Sequence, residues 1–297
     1  MTGAQRGFLL LTSHLGDPER KVLSVARFAA LTKAVYRMDK TAAERDLTAE
    51  DLRAVGLQHQ EAEHILSLLS QEGLLDSYLR RAEKLEVYPI TRASEQYPVA
   101  LRQRLGLNSP GVLWARGDAA LLKKQAVAVV GSRTLQPANR QFAREAGQQA
   151  AKQGYVLVSG NARGADTAAQ TGCLSAGGQI VSVVADKLEN HDLAENILWL
   201  SEDSYDMDFS AQRALSRNRV IHALPRLTLV AQCRLDKGGT WSGTLNNLRG
   251  AWSPVCCYRD GSDAAAALQG LGADLIDFSE LTDLSRLGWG EQLSMYK

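Results

Sequence analysis

The period of the apolar positions changes near residue 85. Before it, apolar residues recur at helical spacing. In residues 19–38, Val22, Val25, Phe28 or Ala29, Leu31 and Val35 share one face. Thr48-Ala49-Glu50-Asp51 has the form of a capping box and predicts a short helix ending at Gly56. Residues 60–71 place Ala62, Ile65, Leu66 and Leu69 on one side, with Gly73 as the expected stop. Residues 76–84 predict a further helix. The pattern predicts a helical domain over residues 1–84, of a SAM or helix-hairpin-helix kind. Two roles suit it: contact with nucleic acid, or packing and dimerisation. His59 and His64 lack further metal-ligand candidates at suitable spacing, so surface or helix-packing roles are expected of them.

From residue 85 to 278 the pattern alternates between short apolar runs and helical spacing. Residues 86–90 predict an edge strand, because Pro89 is tolerated only there. Residues 112–115 predict another strand. Residues 126–130, Ala-Val-Ala-Val-Val, read as a strand buried on both faces. Pro137 suits a first helical turn, Phe142, Ala146 and Ala150 form one apolar face, and Gly154 ends the helix. Residues 155–158 predict the next strand. Helix, strand, helix and strand are then predicted over 167–177, 179–184, 190–198 and 198–201. Helix 211–223 and strand 227–231 follow. A loop over 238–244 leads to a helix at 245–252, and strand 254–258, helix 264–271 and strand 275–277 complete the series. Residues 279–297 are expected to form a tail. Strands alternating with helices predict an α/β domain with a mainly parallel sheet, whose loops gather at one edge.

Composition narrows this picture. Hydrophobic residues make up 45% of the 297, which excludes a largely disordered chain. Formal net charge is +1, so anion binding has to come from local clustering of cations. Cys173, Cys233, Cys256 and Cys257 form no C-x-x-C pair and are expected as buried reduced thiols. No apolar run approaches the roughly 18 residues of a membrane span. The apolar run at residues 8–11 is shorter than the about 7 residues of a signal h-region. A cytoplasmic protein is expected.

Three segments at strand ends carry the candidate chemistry. They are Gly131-Ser132-Arg133, residues 159–166 with Ser159, Gly160, Arg163, Gly164 and Asp166, and residues 238–244 with Gly238, Gly239, Thr240, Ser242, Gly243 and Thr244. Each precedes a predicted helix, whose exposed N–H groups favour anions. Glycines let backbone approach a phosphate, hydroxyls add donors, and Arg133, Arg163, Arg217 and Arg219 offer guanidinium forks. No G-x-G-x-x-G and no G-x-x-x-x-G-K-[ST] occurs, so neither a dinucleotide nor a P-loop signature is present, and no cofactor or metal is expected. No G-x-S-x-G or H-E-x-x-H occurs either. Asp166 is read as orienting Arg163 or capping the next helix. His222 has no identifiable nucleophile partner. Asp186, Glu189, His191 and Asp192 are read as a solvated loop.

The ordered set of motifs resembles the DNA-processing protein A (DprA/Smf) family. It comprises Tyr97-Pro98 with Leu101, Pro110 with Leu113-Trp114 and Gly117-Asp118, Val129-Val130-Gly131-Ser132-Arg133, Ser159-Gly160-x-Ala162-Arg163-Gly164-x-Asp166, Ser201-Glu202, and Phe209 with Arg217-Asn218-Arg219-Val220-Ile221. The resemblance runs from about residue 45 to 277 and is carried by the order of the motifs rather than by any one of them. It implies an extended Rossmann-like domain that binds single-stranded DNA, protects incoming DNA in transformation, loads the RecA recombinase and forms a homodimer. It also implies that Arg133 is a principal phosphate contact, with Arg163 and Arg217-Asn218-Arg219 lining the same pocket. Departures mark a divergent branch. Gln170 stands where the family has a histidine, residues 238–244 replace S-G-S-L-x-T-A, residues 185–189 replace G-L-D…Y-P, and the chain ends before the winged-helix domain of many members.

Two other function classes suit the same loops. One is a sensor of a nucleotide-derived ligand in a stress or phage-defence system. The other is a LOG-type phosphoribohydrolase, whose P-G-G-x-G-T-x-x-E motif is partly matched by Gly238-Gly239 and Gly243-Thr244. Asn247 occupies the position of the needed glutamate, and an amide cannot act as a general base. A binding protein rather than an enzyme is therefore expected.

Overall fold

The computed structural model describes residues 1–38, 46–202 and 204–288. The chain opens with α1 (Gly3–Thr12), a helix that the pattern of residues 8–11 did not suggest. Thr2 and Gln5 close a capping box at its start, and Phe8 to Leu11 are buried. α2 (Val25–Met38), α3 (Ala49–Ala54), α4 (His59–Leu69) and α5 (Glu72–Lys84) follow. α2 begins six residues later than the apolar spacing suggests, and Gly73 lies inside α5 rather than stopping α4. Leu31, Leu52, Ile65 and Leu68 join in one apolar cluster among these helices. α1 and α5 place Leu9, Leu10, Leu75 and Tyr78 in a second cluster that includes Trp114 and Trp199 of the sheet. Tyr78, Trp114 and Tyr205 form mutual edge and tilted ring contacts with centroids 4.6–5.2 Å apart.

The remaining chain builds one sheet from β1 (Val87–Thr91), β2 (Val112–Arg116), β3 (Ala126–Val130), β4 (Val156–Ser159), β5 (Ile180–Val183), β6 (Ile197–Ser201), β7 (Leu227–Val230), β8 (Val255–Tyr258) and β9 (Asp274–Ile276). The nine strands lie in the order β1-β2-β6-β5-β4-β3-β7-β8-β9. β1–β2 and β2–β6 pair antiparallel, and all the other pairs are parallel. The α/β reading with a mainly parallel sheet is the observed fold, and Pro89 lies on the edge strand. Helices α6 (Val99–Leu105), α10 (Asn218–Ala223), α11 (Gly238–Gly250) and α12 (Asp263–Gly270) pack on one face and α7 (Pro137–Lys152) and α8 (Ala165–Ser175) on the other, while α9 (Ala211–Ser216) buries none of its residues. β3 shows why: Ala126, Ala128 and Val130 enter one core, while Val127 and Val129 enter the other with Phe142, Ala146 and Ala150 of α7. Both faces are covered, so every residue of the strand is apolar.

Between β5 and β8, three segments differ from the pattern. Residues 190–198 are not helical: a 3-10 turn at Leu188–Asn190 is followed by an irregular segment that turns at residues 195–196 before β6. His191 stacks on Trp199 at 4.5 Å, and the Trp199 Nε1 donates to the Asp192 carbonyl, which pins the polar half of the segment as a loop. The helix expected over 211–223 is two helices, with Arg217 at their junction. The segment expected as a loop over 238–244 is the first two turns of α11, anchored by buried Trp241. Its glycines tolerate a helical backbone, so their number misled the reading. Leu281, Leu284 and Leu287, beyond β9, are buried on the α7 side of the sheet. Residues 289–297 lie outside the described residues. All four cysteines are free and buried. Among the described residues, no helix is long and apolar enough to cross a membrane.

Candidate functional site

The strand order reverses at β3. β4, β5 and β6 extend to one side and β7 returns on the other, so a crevice opens beyond the carboxyl ends of β3 and β7. A hollow of about 580 Å³ occupies that place. The turn after β3 contributes Gly131, Ser132 and Arg133, the loop after β4 contributes Ala162, and the first turn of α8 contributes Asp166. The α9–α10 junction contributes Arg217 and Asn218. Arg234 and Lys237 come from the loop after β7, and Gly238, Gly239 and Thr240 form the first turn of α11.

The loops are held together by their own backbones. Ser132 N donates to the Gln232 carbonyl (2.8 Å), and Ala165 N donates to the Ser132 carbonyl (3.2 Å). Gly164 has φ +87°, and a Cβ there would overlap the Ser132 carbonyl. Gly160 lies against the Arg217 guanidinium, where a Cβ would collide with Nη1. These two glycines therefore bring protein groups together. They were expected to admit a phosphate to the backbone; their close neighbours are instead the adjacent loop and Arg217.

Four cationic side chains, Arg133, Arg217, Arg234 and Lys237, face the hollow with one carboxylate, Asp166. Arg217 is 7% exposed, and its guanidinium makes no hydrogen bond among the described residues. Burial lowers its pKa, partly offset by the charges of Asp166 and Glu202. Asp166 lies in the first turn of α8, but it does not cap that helix. One carboxylate oxygen accepts from Gly160 N and Ala162 N, both at 3.1 Å, and braces the loop before it. Burial raises the Asp166 pKa, while Arg217 and the two N–H groups oppose the rise. Arg133 is exposed, and its side chain has no hydrogen bond or ion pair among the described residues. The arrangement has an excess of unsatisfied donors and positive charge, aided by the amino end of α11. It suits an anion with several acceptor oxygens.

Arg219 turns away from the hollow. Its guanidinium pairs with Glu202 at 3.0 Å and donates to the Asn108 carbonyl. Ser159 is buried and accepts from the Gln170 amide at 3.1 Å, which gives Gln170 a structural partner. Arg163 is exposed but does not line the hollow. Ser242 bonds back to the Gly238 carbonyl, while Gly243 and Thr244 are buried in α11. Arg234 and Lys237 were not singled out in the sequence. Their signal was two basic residues in the short loop directly after a predicted strand.

Asn247 lies outside the hollow and is fully buried. Its amide donates to Ser253 Oγ at 3.1 Å and faces His222 Nδ1 at 3.4 Å, and its carbonyl oxygen accepts from Ser253 N at 2.9 Å. Burial, and then the Arg217 charge, push His222 down to about 4, so its ring is neutral near neutral pH.

Residues 89–253 match the family described as DNA recombination-mediator protein A. The chain is 28% identical over 203 residues to the DNA processing protein DprA of Bacillus subtilis (strain 168), a match covering 65% of each protein. It is 33% identical over 143 residues to DNA processing protein DprA of Streptococcus pneumoniae, covering 44% of this chain and 50% of that one. The matched part is thus less than two thirds of either relative's length. Among solved structures, DNA processing protein A from Streptococcus pneumoniae superposes with TM-score 0.66 at 22% identity, covering 86% of this chain and 95% of the other. DNA processing protein A from Helicobacter pylori, solved for its single-stranded DNA binding mode, gives TM-score 0.54 at 25% identity, covering 64% and 91%.

Proposed function

The chain belongs to the DNA recombination-mediator protein A family, and from that membership and the charge of the hollow we propose that it binds single-stranded DNA there. Binding goes through the phosphate backbone, with little sequence preference. The observation that carries this reading is the pair Arg133 and Arg217. Both face one hollow, and neither guanidinium has a hydrogen-bond partner among the described residues. A phosphate supplies two acceptor oxygens to each fork. Arg234 and Lys237 extend the cationic surface for neighbouring phosphates. Asn218 is held by the Gly239 carbonyl at 3.2 Å and fixes the α10–α11 side of the hollow.

The protein acts, in this reading, in DNA processing, protection and recombination as a binding protein. Loading of RecA and assembly as a homodimer are finer parts of the same proposal, and so is a division into a helical domain over 1–84 and an α/β domain over 85–278. Hydrolysis is disfavoured because Asn247 is a buried amide outside the hollow.

Titration of fluorescent oligo-dT at several salt concentrations tests the proposal. Each phosphate contact on a single strand contributes a slope of about −0.7 in log K against log salt. Equal affinity at low and high salt would sink the phosphate reading. RecA filament assembly on protein-coated oligo-dT, with and without this protein, tests the loading step.

A further inference from the structure

Gly147 and Gly172 let α7 and α8 meet backbone to backbone. A Cβ at Gly147 would overlap the Ala169 carbonyl, and one at Gly172 the Arg144 carbonyl. Arg140, Arg144 and Gly147 recur at helical spacing, so the two arginines lie along the edge of α7 that faces α8. β3 and β4 run parallel, so the amino ends of α7 and α8 lie together at the carboxyl end of the sheet, beside the hollow. Gly164 seats the loop that carries Arg163 on the Ser132 and Arg133 carbonyls. Arg133, Arg163, Arg140 and Arg144 thus form one surface that begins at the hollow and runs along the seam of the two helices. All four are exposed, and none of their side chains has a hydrogen bond or ion pair among the described residues. By contrast, Arg27 is paired with Glu61 and Arg259 with Asp277. The seam offers no counter-charge. Glu145, the one acidic residue of α7, accepts from the Gln149 amide at 2.8 Å, and Asp166, the one acidic residue of α8, is buried. Two like charges at i and i+4 repel, and a bound anion relieves that repulsion. Gln141, Thr167 and Thr171 are the exposed neighbours of the arginines, so the seam lacks the apolar face that a membrane surface requires and fits a hydrated polyanion.

We propose that a single strand seated in the hollow leaves it over this seam, where Arg163, Arg140 and Arg144 meet successive phosphates. The strand is fixed at Arg133 and Arg217, and the seam holds the next nucleotides by charge alone. A strand too short to reach past Arg133 gains nothing from Arg140 and Arg144, while a longer one gains two phosphate contacts from them. This inference deepens the DNA reading above and rests on it.

The full chain and its double variant Arg140→Gln/Arg144→Gln are titrated with oligo-dT of about four and about twenty nucleotides, lengths that bracket the span of a typical single-strand site. Both positions are exposed and unpartnered, so the variant is expected to keep the thermal unfolding midpoint of the wild type. It is expected to bind the long strand at least about fivefold more weakly, with a salt slope shallower by about 1.4, two contacts at about 0.7 each. The short strand is expected to stay within about twofold. Arg140→Lys/Arg144→Lys, which keeps both charges, is expected to restore most of the long-strand affinity. Long-strand affinity and salt slope unchanged in the glutamine variant would overturn the proposal while leaving the DNA reading in place. Equal weakening of both lengths would do the same, since the arginines would then act on the hollow itself. Loss of binding to vesicles of anionic lipid, with the long strand unaffected, would assign the arginines to a membrane instead. If neither length binds the wild-type protein, the DNA reading falls and this inference falls with it.

Discussion

The Arg217 guanidinium rests on the backbone of Gly160, in space that a Cβ would occupy. One residue after the end of β4 has no side chain so that a side chain from the α9–α10 junction can cross over it into the hollow. Asp166 accepts from Gly160 N, so the loop beneath the guanidinium is tied to the carboxylate that partly balances its charge.

Gly160→Ala is expected to displace Arg217 and to act on binding as Arg217→Ala does. The overlap has to be relieved by moving Arg217 or the loop, at a cost of about 1–3 kcal/mol in stability. Urea denaturation and oligo-dT titration of both variants check it. A Gly160→Ala protein with wild-type affinity would show that Arg217 is not needed where it lies.

Arg133→Ala and Arg219→Ala are expected to separate binding from folding. Arg133 is exposed and unpartnered, so its loss should cost about 1.5–3 kcal/mol of DNA binding and little stability. Arg219 holds Glu202 and the Asn108 carbonyl, so its removal should lower the unfolding midpoint and leave most binding intact. Equal small binding losses from Arg133→Ala, Arg217→Ala and Arg219→Ala would mean a diffuse basic surface and end the pocket reading.

Stability is expected to fall in mild acid through His222. The folded pKa lies at about 4, below the ordinary 6.5, so the unfolded chain takes up a proton that the folded one refuses. The loss begins as pH drops below about 6.5, grows to on the order of 3 kcal/mol, and levels off below about 4. His222→Gln should flatten this part of the stability–pH curve. Identical curves for wild type and variant would show that another group controls it.

Asn247→Glu, which restores the carboxylate of the phosphoribohydrolase motif, is expected to destabilise without creating activity. The carboxylate would be buried against Ser253 and a neutral His222, neither of them a cation, at a cost of several kcal/mol. Release of free base from nucleoside monophosphates, together with thermal unfolding, checks both parts. Hydrolysis by the folded variant would reopen the enzyme reading.

The sequence by itself determined the α/β class, the parallel core strands and the edge strand. These depend on local properties: the apolar run 126–130 suits only a strand covered on both faces, and Pro89 only an edge. It also marked Arg133, because a turn directly after a buried strand has a fixed place. It did not determine which arginine of Arg217-x-Arg219 enters the hollow. Their spacing places the two on opposite sides of a helix, and only Glu202 and Gly160, distant in sequence, decide which side meets which partner. Arg234 and Lys237 enter because β7 returns beside β3, a pairing that no local pattern encodes. Residues 238–244 show the same limit in reverse. Their glycines and hydroxyls read as a loop, yet burial of Trp241 and packing of α11 on α10 outweigh the weak helix propensity. Tertiary contacts of a few kcal/mol exceed local preferences of about 1 kcal/mol per glycine, so the site was decided where segments far apart in the chain meet.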